Sequence, residues 1–493
     1  MASTIETNGG SDSEFEEYLF SGKVLNNKYV LIDTVGRGTF ASVWSCYDIK
    51  TKTFSAIKIQ DIEEHECAVD ELAFYTTINK GGNVAGAHNF LSTMIDYFIL
   101  ETDYGDHDCF VFNLAACSTY DVIRHIKYFK SDETKVSPFT LTTIKQIIYQ
   151  ILLAIKSINE NYNLLHTDIR AENILIMGVN KKMEVFKNLF DINYIEKAVA
   201  ARKKKFIKKY KKKNIPVEVE TEFYESVCVP YIQKILNSAE MECFTTAKSH
   251  SNSDHSDVSD DGDISDDSGH SVVSCKKKQD KYDTFSEFND FFSDGNTEET
   301  LFDKESTDLP LNEKYLNKIH VKLTDFGSAC FTDKKYSTIQ TRHYRAPEVI
   351  IGHEYNESCD IWSLGCLLFE LLTGEVLFRP NKTQFTSRNK FHLYKMYQIF
   401  GPLPNNMINE CKNRKIFFNN DNTLKVDRYI NSLDLKDMIN VEIQKHSVQI
   451  LISEQELDQI IDFLKLTFIY DPKFRSKACD LIKHSWFDDI RLN

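Results

Sequence analysis

From Tyr29 apolar and polar positions alternate through YVLIDTVGRGTFASVWSCYD, which predicts two strands around a Gly-containing turn. TFSAIKI predicts a third strand, HECAVDELAFYTTI has helical spacing, and LSTMIDYFIL and CFVFNL predict two more strands. The pattern then turns helical in LTTIKQIIYQILLAIKSINENYN, and NLLHTDIRAENILIM reads as strand, loop, strand. After HVKLTDFGSA, another strand signal, helical patterns run to the C-terminus. The expected class is α+β: a small β-rich lobe followed by a larger helical one.

Two stretches lack this patterning. Residues 1–26 are polar, acidic and poor in aromatics, and are expected to be disordered. Residues 180–318 combine a basic helical stretch, RKKKFIKKYKKK at 202–213, with the acidic serine tract SHSNSDHSDVSDDGDISDDSGHS. Such composition buries too little apolar surface to order itself, so the segment is expected to be a low-complexity insert. The strands predicted on both sides put it at a hairpin tip, where long insertions cost little entropy. On this reading, deleting 185–312 leaves activity within a few-fold.

The net charge of −14 is unevenly spread. Residues 202–213 contribute +9, while residues 249–310 hold 17 acids and five bases. The remaining acidic excess is mild and hints only weakly at a basic substrate. Twelve cysteines contain no C-x-x-C pair, which argues against zinc and disulfides and for a reducing compartment. No apolar run reaches the roughly 18 residues of a membrane span; the best, 361–369, ends at Glu370. The polar N-terminus has neither region of a signal peptide.

The chemistry-bearing motifs follow in order. GRGTFASV at 36–43 is a glycine loop, in which Gly36 and Gly38 let the backbone approach phosphate oxygens, Val35 precedes the first glycine and Val43 would cover a base ring. Ala56-Ile57-Lys58 places a lysine on the third strand, suited to phosphates. Glu71 is its expected ion-pair partner, with Glu63 and Glu66 as alternatives. HTDIRAEN at 166–173 places Asp168 to accept a hydroxyl proton and Asn173 to ligate magnesium; DFG at 325–327 adds Asp325 as second metal ligand, and APE follows at 346–348. Five motifs in the required order make the joint signal strong.

The chain resembles the CMGC group of eukaryotic protein kinases, through STYD at 118–121, DFGSA at 325–329 and TRHYRAPEVI at 341–350. Residues 392–404 keep His392, Leu393, Met396, Ile399 and Gly401 of the LAMMER (Clk-type) helix but depart from it at Tyr394, Lys395, Tyr397 and Gln398. The long insert is instead similar to that of SR-protein kinases. The resemblance implies a bilobal kinase fold: N-lobe 27–115, first part of the C-lobe 116–179, insert 180–318 and second part of the C-lobe 319–493. It also implies ATP and Mg2+ as cofactors, Phe112 as gatekeeper, and Asn113 and Ala115 as the backbone that holds adenine beside Ala56. Asp360 would brace the catalytic loop, and Glu348 would pair with Arg475.

The implied function is phosphorylation of serine or threonine in Arg/Ser-rich splicing factors, with tyrosine autophosphorylation carried over from LAMMER kinases. Arg170, where most such kinases have lysine, would still reach the γ-phosphate. Thr167 replaces a common arginine, so no phosphate is needed to neutralise a buried cation, and the enzyme is expected to be active as made. The rival classes are a pseudokinase scaffold and an RNA-associated protein whose basic insert does the binding, although an acidic chain without RNA-binding motifs argues against the second. The lysine run admits three readings: nuclear import, nucleic-acid contact or a solvated helix. The expected partners are protein substrates. No membrane or direct nucleic-acid contact is expected, the chain should act as a monomer, and its location should be nuclear, cytoplasmic or both.

Overall fold

The computed structural model describes residues 19–251 apart from 39, 82–86, 129–138 and 212–213. It also describes residues 311–490 apart from 312–314, 317, 334–335, 337, 381–386, 427–429, 446–449 and 451. The acidic serine tract, from 252 on, and residues 1–18 lie outside the described residues.

The alternating patterns become an antiparallel sheet. β1 (Val24–Leu25), β2 (Tyr29–Arg37), β3 (Ala41–Asp48), β4 (Thr53–Gln60), β5 (Met94–Thr102) and β6 (Gly105–Asn113) lie in the order β1-β2-β3-β4-β6-β5. Its register matters for the site. Val43 stands opposite Lys58, and Ala56 stands between Ser45 and Phe112. Helix α1 (His65–Lys80) packs on one face through Ala68, Phe74, Tyr75 and Ile78. Leu25, Leu31, Cys46, Ile57 and Val111 form a cluster on the sheet that also takes in Leu19. The expected disorder up to residue 26 therefore gives way at Leu19, because Leu19, Val24 and Leu25 are apolar enough to be buried.

Beyond β6, β7 (Ala115–Ser118) leads into α2 (Thr119–Tyr128) and α3 (Leu141–Tyr162). Thr140 caps α3 by accepting from the Thr143 N–H, and Asn163 ends it in the left-handed region. Among the described residues α3 alone is long and apolar enough to cross a membrane, but it runs through the helical lobe's core, where Ile144, Ile147, Ile148, Ile151 and Ile155 are fully buried. β8 (Leu164–Leu165) and β9 (Ile174–Met177) flank the HTDIRAEN loop.

The expected hairpin is present: β9 pairs antiparallel with β10 (Val321–Leu323), Ile174 opposite Leu323. What lies between them departs from expectation. Residues 181–240, read as the start of a low-complexity insert, form α4 (Lys181–Leu189), α5 (Ile192–Tyr210) and the first part of α6 (Val217–Ser251). Met183, Phe186, Ile195, Val199, Val227, Cys228, Ile232 and Ile235 bury themselves against Val24, Val30, Ile32 and Tyr47 of the sheet. Lys52 pairs with Glu196 and Lys182 with Asp33, each at 2.9 Å, and the Val24 N–H donates to Glu225. Lysines are dense on α4 and α5 and glutamates on the first part of α6, so composition does not reveal their apolar faces. A removable appendage is therefore the wrong description of 181–240.

The rest of the lobe comprises β11 (Cys330–Phe331), α7 (Pro347–Ile351), α8 (Cys359–Thr373), α9 (Arg388–Phe400) and further helices to Leu481. Every residue of α8 is buried.

Candidate active site

The pairing of β3 with β4 brings Lys58 under the glycine loop, where the Gly38 N–H donates to the Ala41 carbonyl at 2.8 Å. The Lys58 ammonium reaches both Glu71 oxygens and Asp325 Oδ1, each at 2.9 Å. Glu71 is fully buried on α1 and takes a further bond from the Gln60 amide at 2.6 Å. This selects Glu71 over Glu63 and Glu66 as the Lys58 partner. Burial works to lower the Lys58 pKa, but Asp325 and Glu71 outweigh it and the net shift is upward. The Lys58 charge in turn holds the Asp325 carboxyl below the usual carboxylate range. Both groups are thus fixed in their charged forms.

A column of rings links the lobes. Phe112 lies 4.9 Å from Tyr75, Tyr75 lies 5.4 Å from Phe326, and Phe326 lies 5.0 Å from His166. At its foot Asp360 accepts the backbone N–H groups of His166 and Thr167, both at 2.8 Å. The expected brace from α8 is therefore formed.

On the loop, Asn173 donates its amide N–H to the carbonyl and to Oδ2 of Asp168, each at 2.9 Å. Those bonds leave the Asn173 side-chain oxygen unused. Together with the Asp325 carboxylate it offers the hard oxygen donors that suit Mg2+. Asp168 Oδ1 accepts the Thr341 hydroxyl at 2.6 Å, and that hydroxyl accepts from Arg170 at 3.1 Å. Arg170 also pairs with Glu172 at 3.1 Å. A carboxylate held this way can take a proton from a hydroxyl presented beside it. Val35 is exposed, Val43 faces Gly36 across the loop, and Ala56, Asn113 and Ala115 border the hinge between sheet and helical lobe.

Thr167 and the segment after DFG show how the loop is ordered. The buried Thr167 hydroxyl donates to the Ser328 carbonyl at 2.5 Å, so a neutral bond stands where an arginine would have brought a cation. Thr167, Asp325 and Gln340 have φ of 64°, 64° and 67°, positive values that a β-branched residue such as Thr167 rarely adopts. The Gln340 amide is fully used: it donates to the Cys359 carbonyl and Ser363 hydroxyl at 2.9 Å and accepts from the Ala346 N–H at 3.0 Å. Arg345 donates to the carbonyls of Ile339 and Gln340, and Arg342 to Asn389 Oδ1, so neutral oxygens meet these guanidinium groups. Glu348 and Arg475 form a fully buried bidentate pair at 2.7 and 2.8 Å, over the face of Trp362.

Sequence reasoning missed four participants. Gln60 and Glu370, which accepts the buried Tyr344 hydroxyl, carry no motif signal. Gln340 and Thr341 sit at the edge of TRHYRAPE, whose form was legible although their bonds were not.

The comparisons agree with this geometry. A family model described as protein kinase domain matches residues 29–191 and 310–487. A protein of Acanthamoeba polyphaga mimivirus named as a serine/threonine-protein kinase is 30% identical over 97% of this chain and 92% of its own length. SRSF protein kinase 3 of Homo sapiens is 25% identical over 95% of this chain and 87% of its own length. For dual specificity protein kinase CLK4 of Homo sapiens the figures are 25%, 96% and 68%. The chain belongs to the protein kinase family, as a serine/threonine kinase of the SRPK and Clk type.

Proposed function

We propose that this kinase uses ATP and Mg2+ to phosphorylate serines flanked by arginine in Arg/Ser-rich proteins such as splicing factors. Adenine would lie between Val35, Val43 and Ala56, against the backbone of Asn113 and Ala115. Lys58 would hold the α- and β-phosphates, Asn173 and Asp325 would hold the metal, and Gly36 and Gly38 would admit the phosphates. The metal would supply charge neutralisation on the transferring phosphoryl group. Asp168 would take the proton of the substrate hydroxyl as its oxygen bonds to the γ-phosphorus and the bond from that phosphorus to the β–γ bridging oxygen breaks, ADP leaving. Arg170, steadied by Glu172 and Thr341, would offset negative charge there.

The observation that carries the catalytic reading is the assembled set: Lys58 shared between Glu71 and Asp325, and Asp168 held by Asn173 and Thr341. The substrate class is supported by the likeness to a kinase named for SRSF proteins. The exposed activation-segment Tyr336, rather than the buried Tyr344, is the accessible tyrosine for autophosphorylation. A peptide array with ATP and Mg2+ tests the proposal. Serine flanked by arginine should be strongly preferred, less so at high salt. Equal turnover of acid-directed peptides would remove the substrate assignment.

A further inference from the structure

The insert carries a cationic surface that catalysis does not use. α5 buries one side through Ile195 and Val199 against the sheet and α6. At 100° per residue, Lys197, Lys204 and Lys208 project from the opposite side, with Lys205 beside them, and Lys211 follows as the left-handed residue that ends the helix. All five are exposed, and among the described residues none has an ion-pair partner. The nearby acids are partly engaged elsewhere: Glu196 with Lys52 and Glu220 with Lys203. At 1.5 Å per residue, the stripe from Lys197 to Lys211 runs for about 21 Å on a helix fixed by its own core.

One exposed aromatic ring flanks the lysines. Tyr194, next to Lys205 around the helix, is 54% exposed, with one face stacked on Tyr231 at 4.7 Å and the other open. An exposed ring beside a line of cations suits a base stacking next to a tracked phosphate backbone. An acidic peptide would use the charges and leave the ring idle.

We propose that the outer face of α5 binds single-stranded nucleic acid through its sugar-phosphate backbone, with Tyr194 as a stacking platform. This departs from the expectation of no nucleic-acid contact. That expectation rested on an acidic chain without RNA-binding motifs, whereas backbone binding needs no such motif and depends on the local field within a Debye length. A kinase built this way holds RNA on its insert while its cleft acts on protein.

Fluorescence anisotropy of a fluorescein-labelled 20-residue oligouridylate against the full chain tests this. Binding should weaken with salt. The triple substitution Lys204→Ala, Lys208→Ala, Lys211→Ala should weaken it at least tenfold at 50 mM salt. It should also make the logarithmic salt slope shallower by about 2, at roughly 0.7 per phosphate contact. Tyr194→Ala should weaken binding without changing the slope. Peptide kinase activity should stay unchanged in both variants, which separates this surface from the cleft. Absence of binding at 50 mM salt, or equal binding by the triple variant, would overturn the proposal. So would displacement by polyaspartate as effective per charge as by unlabelled oligouridylate with the tyrosine variant silent; that result would assign the surface to an acidic polypeptide.

Discussion

If α4, α5 and α6 are part of the kinase body, one buried ring in them should matter to the whole domain. Phe186 on α4 is fully buried, 6.3 Å from Phe54 of β4 and 5.6 Å from Phe190, in the cluster that holds Val30, Ile32 and Tyr47. Truncating such a ring to alanine costs about 3–5 kcal/mol, against about 5–15 kcal/mol for a domain. At roughly 2–4 °C per kcal/mol, Phe186→Ala should lower the melting temperature by about 6 °C or more, read by calorimetry on the full chain. Gly22 offers a check from the other side of the contact. It has φ +96°, and a Cβ there would lie 2.4 Å from the Val229 Cα of α6, so Gly22→Val should destabilise as well. A Phe186→Ala melting point within about 2 °C of the parent, or full activity after deletion of 185–312, would refute the argument.

Asp168→Asn should abolish nearly all peptide phosphorylation while Arg170→Lys retains it, in a steady-state assay; an active Asp168→Asn variant would contradict the role given to that carboxylate. Protein stripped by phosphatase should keep most of its activity, because Gln340 and Thr167 order the segment with neutral bonds. Gln340→Ala, which leaves the Ala346 N–H unpaired, should instead lower activity and stability, by ~1–3 kcal/mol for the stranded group. His392 is fully buried with neither ring nitrogen hydrogen-bonded, and burial, with Arg345, His343 and Arg342 nearby, holds its pKa well below the usual value. The unfolded chain therefore binds the extra proton, so stability should fall as pH drops below about 6.5, by up to ~1.4 kcal/mol per unit from this group. His392→Leu should flatten that slope in urea melts at pH 5 to 7, leaving the smaller part due to His107 and His320, whose pKa values are also lowered by burial.

The sequence by itself determined the parts whose information is local. Period-two patterns marked the strands of the sheet and a 3.6-residue period marked α1 and α3, since each element must turn an apolar face to a core. Motif spacing named Lys58, Asp168, Asn173 and Asp325, because each loop fixes its own few residues. The choice of Glu71 over Glu63 and Glu66 was made by the tertiary structure, since only the packing of α1 on the sheet decides which turn faces Lys58. Tertiary structure also decided that Thr167 donates to Ser328, that Gln340 ties the segment to Cys359, Ser363 and Ala346, and that Thr341 joins Asp168 to Arg170. These bonds cross more than 150 residues or depend on left-handed backbone that no residue type announces. The same holds for 181–240. Its lysines looked like solvated insert, and only the apolar edge of the sheet beside it gave Phe186, Val199 and Ile232 a surface on which burial outweighs the entropy of ordering three helices.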